Sequence, residues 1–172
     1  MLGQVIREVR VRNNLSQMEL ASEIHYSNKT ISAIENNRRD ISLEGLSELC
    51  GKLDDPRLYI ETISKATHGV FSVPWLNGEG TDLHRSSVHN KVMEELVEAI
   101  DAMREVKIYK NPNFADKEDL EGIKYSLEQV IDVYTAAATY IAVICEEYCL
   151  SPKEAFNNQR RKLELKGYIK EE

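Results

Sequence analysis

The residues best suited to chemistry in this sequence lie between positions 15 and 36, in the segment LSQMELASEIHYSNKTISAIEN. Apolar residues at helical spacing predict two short helices on either side of a three-residue break, His25-Tyr26-Ser27. The outer face of the second helix is then polar and carries Asn28, Lys29, Thr30, Ser32 and Asn36. Short side chains with hydrogen-bonding ends suit base edges and phosphates in a DNA major groove, which admits one α-helix. A solvated surface on a helical bundle is the alternative that composition leaves open.

Five short helices within residues 1–65 are predicted to position these side chains. Ser16, with Glu19 three residues later, forms a capping-box pattern at the start of the second helix. The fifth helix begins with an N-cap and a first-turn proline, Asp55-Pro56. The positions expected to face inward are Leu2, Val5, Ile6, Val9, Leu20, Ala21, Ile24, Ile31, Ile34, Leu43, Leu46, Leu49 or Cys50, and Leu53. This pattern predicts a small helical domain.

The rest of the chain predicts a linker and a second helical domain, so that the whole chain is all-α. Residues 66–84 contain three glycines and a proline without sustained periodicity, which is typical of a linker. Residues 85–172 return to long helical patterns. One helix follows Ser86-Ser87 and places Val92, Leu96, Ile100 and Met103 on one stripe. Another is expected from near Asp116 to about Cys149, and a last helix opens at Ser151-Pro152.

The long predicted helix is apolar nearly all round at Ala136-Ala137-Ala138. Such a helix must be covered on most sides, either by its own domain or by a second subunit. We therefore expect residues 85–172 to form a domain of long antiparallel helices. Its predicted role is to pair two subunits as a homodimer and to receive a signal from an effector or protein partner.

Residues 2–63 resemble the lambda-repressor-like (Cro/Xre-type) helix-turn-helix family. The matching positions are Leu2-Gly3-x-x-Ile6-Arg7, Leu15-Ser16-Gln17-x-x-Leu20-Ala21, Ser27-x-x-Thr30-Ile31-Ser32-x-Ile34-Glu35-Asn36, Arg38, and Ser42-Leu43-x-x-Leu46. The resemblance implies a five-helix domain that binds duplex DNA sequence-specifically, with the third helix in the major groove. It also implies dimers that bind two half-sites about one helical turn apart.

The resemblance assigns roles to individual residues. Gln17 begins the second helix, where the family's glutamine contacts phosphate and braces the recognition helix. Asn28 and Lys29 stand where the family contacts base edges; asparagine can bond adenine and lysine can donate to guanine. The remaining candidates are Thr30 and Ser32 for base or backbone contacts, and Asn36, Asn37 and Arg38 for phosphates.

The sequence departs from the family pattern in two places. The turn commonly holds glycine where this chain has His25, so we expect His25 in a left-handed conformation, which histidine tolerates. The family's frequent proline after Arg39 is also missing, and Asp40-Ile41 stands there instead. Neither departure lies on the expected DNA-reading surface.

A second, fainter resemblance concerns residues 86–169, which are similar to the all-α MazG-like nucleotide pyrophosphohydrolases. It depends on two acidic pairs, Glu95 with Glu98 and Glu128 with Asp132, and on Lys162 and Lys166-Gly167-Tyr168. The family uses two such pairs to bind magnesium, an ion that prefers oxygen ligands. Here Gln129 stands where the second pair normally begins, so ordinary solvated helix faces are the favoured interpretation.

The chain is expected not to be an enzyme and to need no cofactor or metal. A magnesium-dependent pyrophosphohydrolase and an antitoxin-type interaction protein are the alternatives.

Composition limits the remaining classes. The 172 residues carry a net charge of −7, which argues against a protein that holds nucleic acid by bulk positive charge. Residues 1–39, however, hold six basic and four acidic side chains, a balance of +2, against −9 for the remainder. No apolar run is expected to approach the roughly 18 residues of a membrane span. Three cysteines do not make a disulfide framework, which fits a reducing cytoplasm.

Overall fold

A computed structural model of the chain describes residues 2–76 and 78–170. Across those residues the regular elements are α-helices with one short 3₁₀ turn, and no strand occurs among them. The helices are α1 (Leu2–Arg12), α2 (Gln17–Glu23), α3 (Asn28–Glu35), α4 (Leu43–Leu53), α5 (Pro56–Ala66), α6 (Arg85–Glu105), α7 (Lys117–Glu147) and α8 (Pro152–Leu165), and the 3₁₀ turn is Pro112–Phe114. The all-α prediction is confirmed.

The chain divides into two compact units. One unit comprises the chain up to Ser72 together with the segment from Tyr148 onward, and the other is Val73–Glu147. The first unit therefore includes α8, which the sequence pattern groups with the long helices. The physical reason is Asp54, which ends α4 in a left-handed conformation and accepts hydrogen bonds from the Ser151 hydroxyl and, at 3.2 Å, from the Lys153 backbone N–H. The start of α8 is thus attached to the end of α4.

The first five helices enclose one apolar core. Its buried members are Val5, Ile6, Val9, Leu20, Ala21, Ile24, Ile31, Ile34, Ile41, Leu46, Leu49, Cys50 and Leu58. Most of them are predicted by the helical spacing. The prediction is wrong for Leu43, which is the first residue of α4 and is 42% exposed.

Close contact between α1 and α3 depends on Gly3. A Cβ atom at this position would lie 2.2 Å from the carbonyl oxygen of Ile34, a backbone atom that cannot move aside. Gly3 therefore lets α1 approach the C-terminal half of α3 to a distance that no other residue permits.

The second unit is built on the antiparallel pair α6 and α7. Arg85 at the start of α6 forms an ion pair of 3.2 Å with Glu147 at the end of α7, and the rings of His89 and Tyr140 lie 6.2 Å apart. No apolar stretch as long as a membrane span is expected from the sequence, and this expectation is wrong for α7. This helix has the length and composition of a span, with a mean hydropathy of 1.3 over 18 residues, of which 22% are buried. Core helices of water-soluble proteins can have the same length and composition, but they are mostly buried. Because little of this stretch of α7 is buried, the helix leaves apolar side chains exposed.

Candidate nucleic-acid interface

Local capping sets the positions of α2 and α3. The Ser16 hydroxyl accepts from the Glu19 backbone N–H at 3.1 Å, and the Glu19 carboxylate accepts from the Ser16 N–H at 2.7 Å. These hydrogen bonds with Ser16 lower the pKa of Glu19 below its usual value. Ser27 caps α3 in the same way, because its hydroxyl accepts from the Thr30 N–H at 3.1 Å. The predicted cap of α2 is therefore present, and α3 has a matching one.

The turn between α2 and α3 depends on His25. Its φ is 56°, in the left-handed region, as predicted from the absent glycine. The side chain of His25 is exposed, so His25 contributes to the turn through its backbone conformation and not through buried side-chain contacts. Tyr26, the next residue, points its hydroxyl toward α4, where Gly45 leaves it room: a Cβ on Gly45 would lie 2.3 Å from that hydroxyl.

A buried ion pair connects the three helices that surround the turn. Glu35, at the end of α3, accepts from Arg10 Nε of α1 at 2.6 Å and from its Nη2 at 3.1 Å. The same carboxylate accepts from Gln17 Nε2 of α2 at 2.7 Å. Arg10 also donates to the carbonyl oxygen of Leu15 at 2.6 Å, and the hydrogen bond to Glu35 raises the pKa of Arg10. The network fixes the orientation of α3 against α1 and α2.

The N-terminal end of α3 carries the candidate base readers on its surface. Asn28 and Lys29 are exposed at the first two helical positions. Thr30 is half-buried, with its hydroxyl 2.8 Å from that of Ser27, and Ser32 is half-buried two residues further along. The polar face of α3 is therefore exposed to solvent, and Ile31 and Ile34 on the opposite face pack into the core.

The segment after α3 continues the polar surface. The Asn36 side-chain amide donates to the carbonyl oxygen of Ser32 at 2.7 Å. Asn37 adopts a φ of 54°, and its side-chain oxygen accepts from the Gly3 backbone N–H at 3.3 Å. Arg38 is exposed. The two asparagine side chains are thus held in place by the protein, and each amide nitrogen retains a hydrogen for another acceptor.

Comparison with known proteins decides the nature of this segment. Residues 6–54 match the sequence model of a family described as helix-turn-helix. Residues 6–54 form a helix-turn-helix domain. No curated protein and no solved structure matches the chain. The lambda-repressor-like resemblance is thereby confirmed for this segment, and the MazG-like resemblance of residues 86–169 stays a prediction.

The match covers less than half of the chain but includes every candidate DNA-contacting residue. The helix-turn-helix family is a DNA-binding one, so residues 6–54, within the first unit, form a DNA-binding domain. The structure brings the eight candidates to α2, α3 and the loop after α3; they are Gln17, Asn28, Lys29, Thr30, Ser32, Asn36, Asn37 and Arg38. Which of them contact DNA stays a prediction.

Sequence reasoning missed a cleft beside the loop that follows α3. It lies between α1 and the end of α3, has a volume of about 760 Å³, and is lined by Gln4, Arg7, Glu8, Val11, Arg12, Glu35, Asn36 and Asn37. Arg12 is paired with Asp55 at 2.5 Å, and the Glu8 carboxylate with Arg57 at 2.7 Å, which lowers the pKa of Glu8. Arg7 is a further cation of α1 that lines the same cleft as Asn36 and Asn37.

The acidic residues of the second unit do not come together as a metal site. Glu95 is buried and pairs with Lys91 of its own helix at 2.8 Å, whereas Glu98, Glu128 and Asp132 are exposed. Within residues 2–76 and 78–170, no three histidine, cysteine or acidic side chains are placed so as to hold a metal ion.

Proposed function

We propose that this protein is a cytoplasmic transcriptional regulator of the phage-repressor type, which binds an operator as a homodimer with α3 in the major groove. The observation that carries the proposal is the exposed polar start of α3, a helix that Glu35 holds against α1 through Arg10 and against α2 through Gln17. A recognition helix must be rigid, because base-edge hydrogen bonds require side chains in fixed positions.

The hydrogen-bond inventory of the site supports separate roles for base readers and phosphate contacts. Asn28 can bond adenine through both ends of its amide, and Lys29 can donate to guanine. Gln17 uses one N–H on Glu35, which leaves its second N–H for a phosphate oxygen. Asn36, Asn37 and Arg38 have the same capacity and follow Glu35, so they lie at the same C-terminal end of α3 as the Gln17 amide. Thr30 and Ser32 lie between this end and the candidate base readers. Phosphate contacts here would set the depth and register of the helix.

Dimerisation is expected from the size of the domain. One helix of eight residues contacts only a few base pairs, too few for tight specific binding. A second copy on an adjacent half-site raises affinity through effective concentration without any new kind of contact. The acidic remainder of the chain weakens non-specific attraction to DNA, which favours the specific site.

The proposal is tested by selecting bound sequences from random duplex DNA and then measuring binding of variants to the selected site. We predict that Asn28→Ala or Lys29→Ala costs about 1–3 kcal/mol at that site and broadens the base preference at one position. Matched controls are Asn90→Ala and Lys107→Ala, two exposed positions of the second unit.

The result separates recognition from general loss of fold. If both α3 variants bind the selected site as tightly as the controls do, α3 is not the recognition helix. If no sequence is enriched at all at moderate salt, sequence-specific binding itself is refuted. Circular dichroism of each variant checks that the helices are retained.

A further inference from the structure

The α6–α7 pair has a thin internal seam. The residues of α6 that are buried are Val88, Glu95, Ala99 and Ala102, and their spacing of three, four and seven residues marks the side that faces α7. Along the first two thirds of α7, the buried residues Ser126 and Ala136 and the half-buried Gln129 and Val133 repeat every three or four residues, and nearer its C-terminus Thr139, Ala142, Val143 and Cys145 are also buried. Between Glu95 and Ala102 of α6 and between Ser126 and Ala136 of α7, small and polar side chains dominate this seam, so apolar burial stabilises this stretch only weakly.

A second and more apolar stripe runs along α6 and is exposed. It consists of Met93, Leu96, Val97, Ile100 and Met103, which are 38–58% exposed. These positions repeat every three or four residues, the spacing of a helix face that packs against another helix. Its side chains are larger than those of the seam. A helix pair that is stable by itself would bury the large apolar side chains and expose the small ones.

A matching stripe runs along α7. It consists of Leu120, Leu127, Val130, Ile131 and Tyr134, which are 41–57% exposed. The spacing is again three, four and seven residues. The sequence shows these residues at helical spacing on the long helix, and the structure adds that they are exposed rather than buried against α6.

The two stripes open on the same side of the pair. At about 100° per residue, each exposed stripe is displaced from its own seam by roughly a third of a turn, in the same rotational sense along the chain. Because α6 and α7 are antiparallel, equal displacements in the same sense bring both stripes to one face. We call this two-helix surface the α6–α7 face.

We propose that the α6–α7 face is the docking surface for a second copy of this chain, so that two antiparallel pairs form a four-helix bundle. This inference rests on the proposed function for its role in DNA binding, but its geometry stands on the exposed stripes alone. Ten half-exposed large side chains amount to roughly 800 Å² per subunit, the area that each partner buries in a standard stable interface. Two identical flat faces related by a two-fold axis produce a closed assembly with no apolar stripe left over.

A bilayer is a poor occupant of the same face. Only α7 has the composition of a span among the described helices, and α6 carries charged side chains at nearly every turn, among them Lys91, Glu94, Glu98, Asp101 and Arg104. Inserting the pair would take these charges out of water, whereas packing against a second copy leaves them at the rim of the bundle.

The test is the mass of the full chain in solution, measured by sedimentation at several concentrations without DNA. We expect a species of twice 19.7 kDa for the natural chain. The double variant Ile100→Glu with Ile131→Glu places one carboxylate in the middle of each stripe. Burying them unpaired should raise the dimer dissociation constant about 100-fold or more. Ile108→Glu is the matched control, since Ile108 is exposed in the loop between α6 and α7 and lies outside the face.

Each result either supports or overturns the proposal. A natural chain and control that are dimeric, with a monomeric double variant of unchanged helical circular dichroism, support it. A monomeric natural chain, a double variant that stays dimeric, or a natural chain that pellets with phosphatidylglycerol vesicles as a monomer overturns it. If the double variant loses its helical signal, the milder pair Ile100→Ala with Ile131→Ala is measured instead, and an unchanged dissociation constant overturns the proposal. Because DNA is absent, a failure here is distinct from a failure of operator recognition.

Discussion

Glu35 is a buried carboxylate that accepts hydrogen bonds from residues of two other helices. Removing one member of a buried ion pair leaves an uncompensated charge, whereas replacing both members with apolar residues is often neutral. The bidentate contact from Arg10 and the single bond from Gln17 therefore make Glu35 the residue whose loss most affects the orientation of α3.

We predict that Arg10→Met lowers the free energy of unfolding by about 3–5 kcal/mol, because Glu35 then lies buried with only Gln17 as a partner. The double variant Arg10→Met with Glu35→Leu should recover most of that loss. Urea unfolding followed by circular dichroism measures both. If the double variant is as unstable as the sum of its single variants, packing rather than charge is responsible.

The sequence predicts the exposed residues of α3 more completely than the buried pair beneath them. Asn28 and Lys29 can be recognised from the sequence because they lie on the polar face of a helix whose apolar residues, Ile31 and Ile34, recur at helical spacing. Arg10 and Glu35 are 25 residues apart, and nothing in either helix alone shows that the two charges meet. A signal is present in α1, where Arg10 occupies a position four residues after the buried Ile6 and so falls on the core side.

At the level of elements, helix starts are predictable because capping is local. Ser16, Ser27, Asp55 and Ser151 all accept hydrogen bonds from N–H groups two or three residues ahead. Which neighbour each helix contacts is not predictable in the same way. Helix α8 lies with the first unit because of Asp54, a residue almost a hundred positions away. Apolar spacing also reveals the α6 stripe without showing that a different stripe faces α7.

Two glycines in helices of the same unit have opposite expected effects. Gly3→Ala would place a Cβ 2.2 Å from the Ile34 carbonyl oxygen, so α1 must move away from α3 and part of the core opens. We predict a loss of at least about 2 kcal/mol in the free energy of unfolding. Gly51→Ala, where nothing lies within 4 Å, should instead stabilise α4 by about 0.5–1 kcal/mol.

Thermal or urea unfolding of these two variants and the natural chain measures both changes in the free energy of unfolding. Since both substitutions are glycine to alanine within a helix, the gain in helix propensity is common to them and the difference reports the contact with α3. Equal effects of the two substitutions would contradict the close approach of α1 to α3.

At the scale of the whole molecule, charge and apolar surface are divided between the parts of the chain. The balance of +2 lies in residues 1–39, which include α3, and the balance of −9 lies in the remainder. The large exposed apolar stripes lie in the second unit. This division suits a protein in which one part contacts DNA and another joins subunits, with attraction to DNA confined to the reading surface.

The link between the two parts is tested by comparing DNA with one half-site and DNA with two. For the natural chain we predict that a second half-site about one helical turn away tightens binding by about 10²–10⁴-fold, through effective concentration. The double variant Ile100→Glu with Ile131→Glu should bind the single half-site normally, because α3 is untouched, yet gain little from the second. The control Ile108→Glu should behave as the natural chain does. Quantitative gel-shift titrations at one fixed salt concentration measure all six affinities. A double variant that keeps the full gain would show that the α6–α7 face does not couple the two DNA-binding domains.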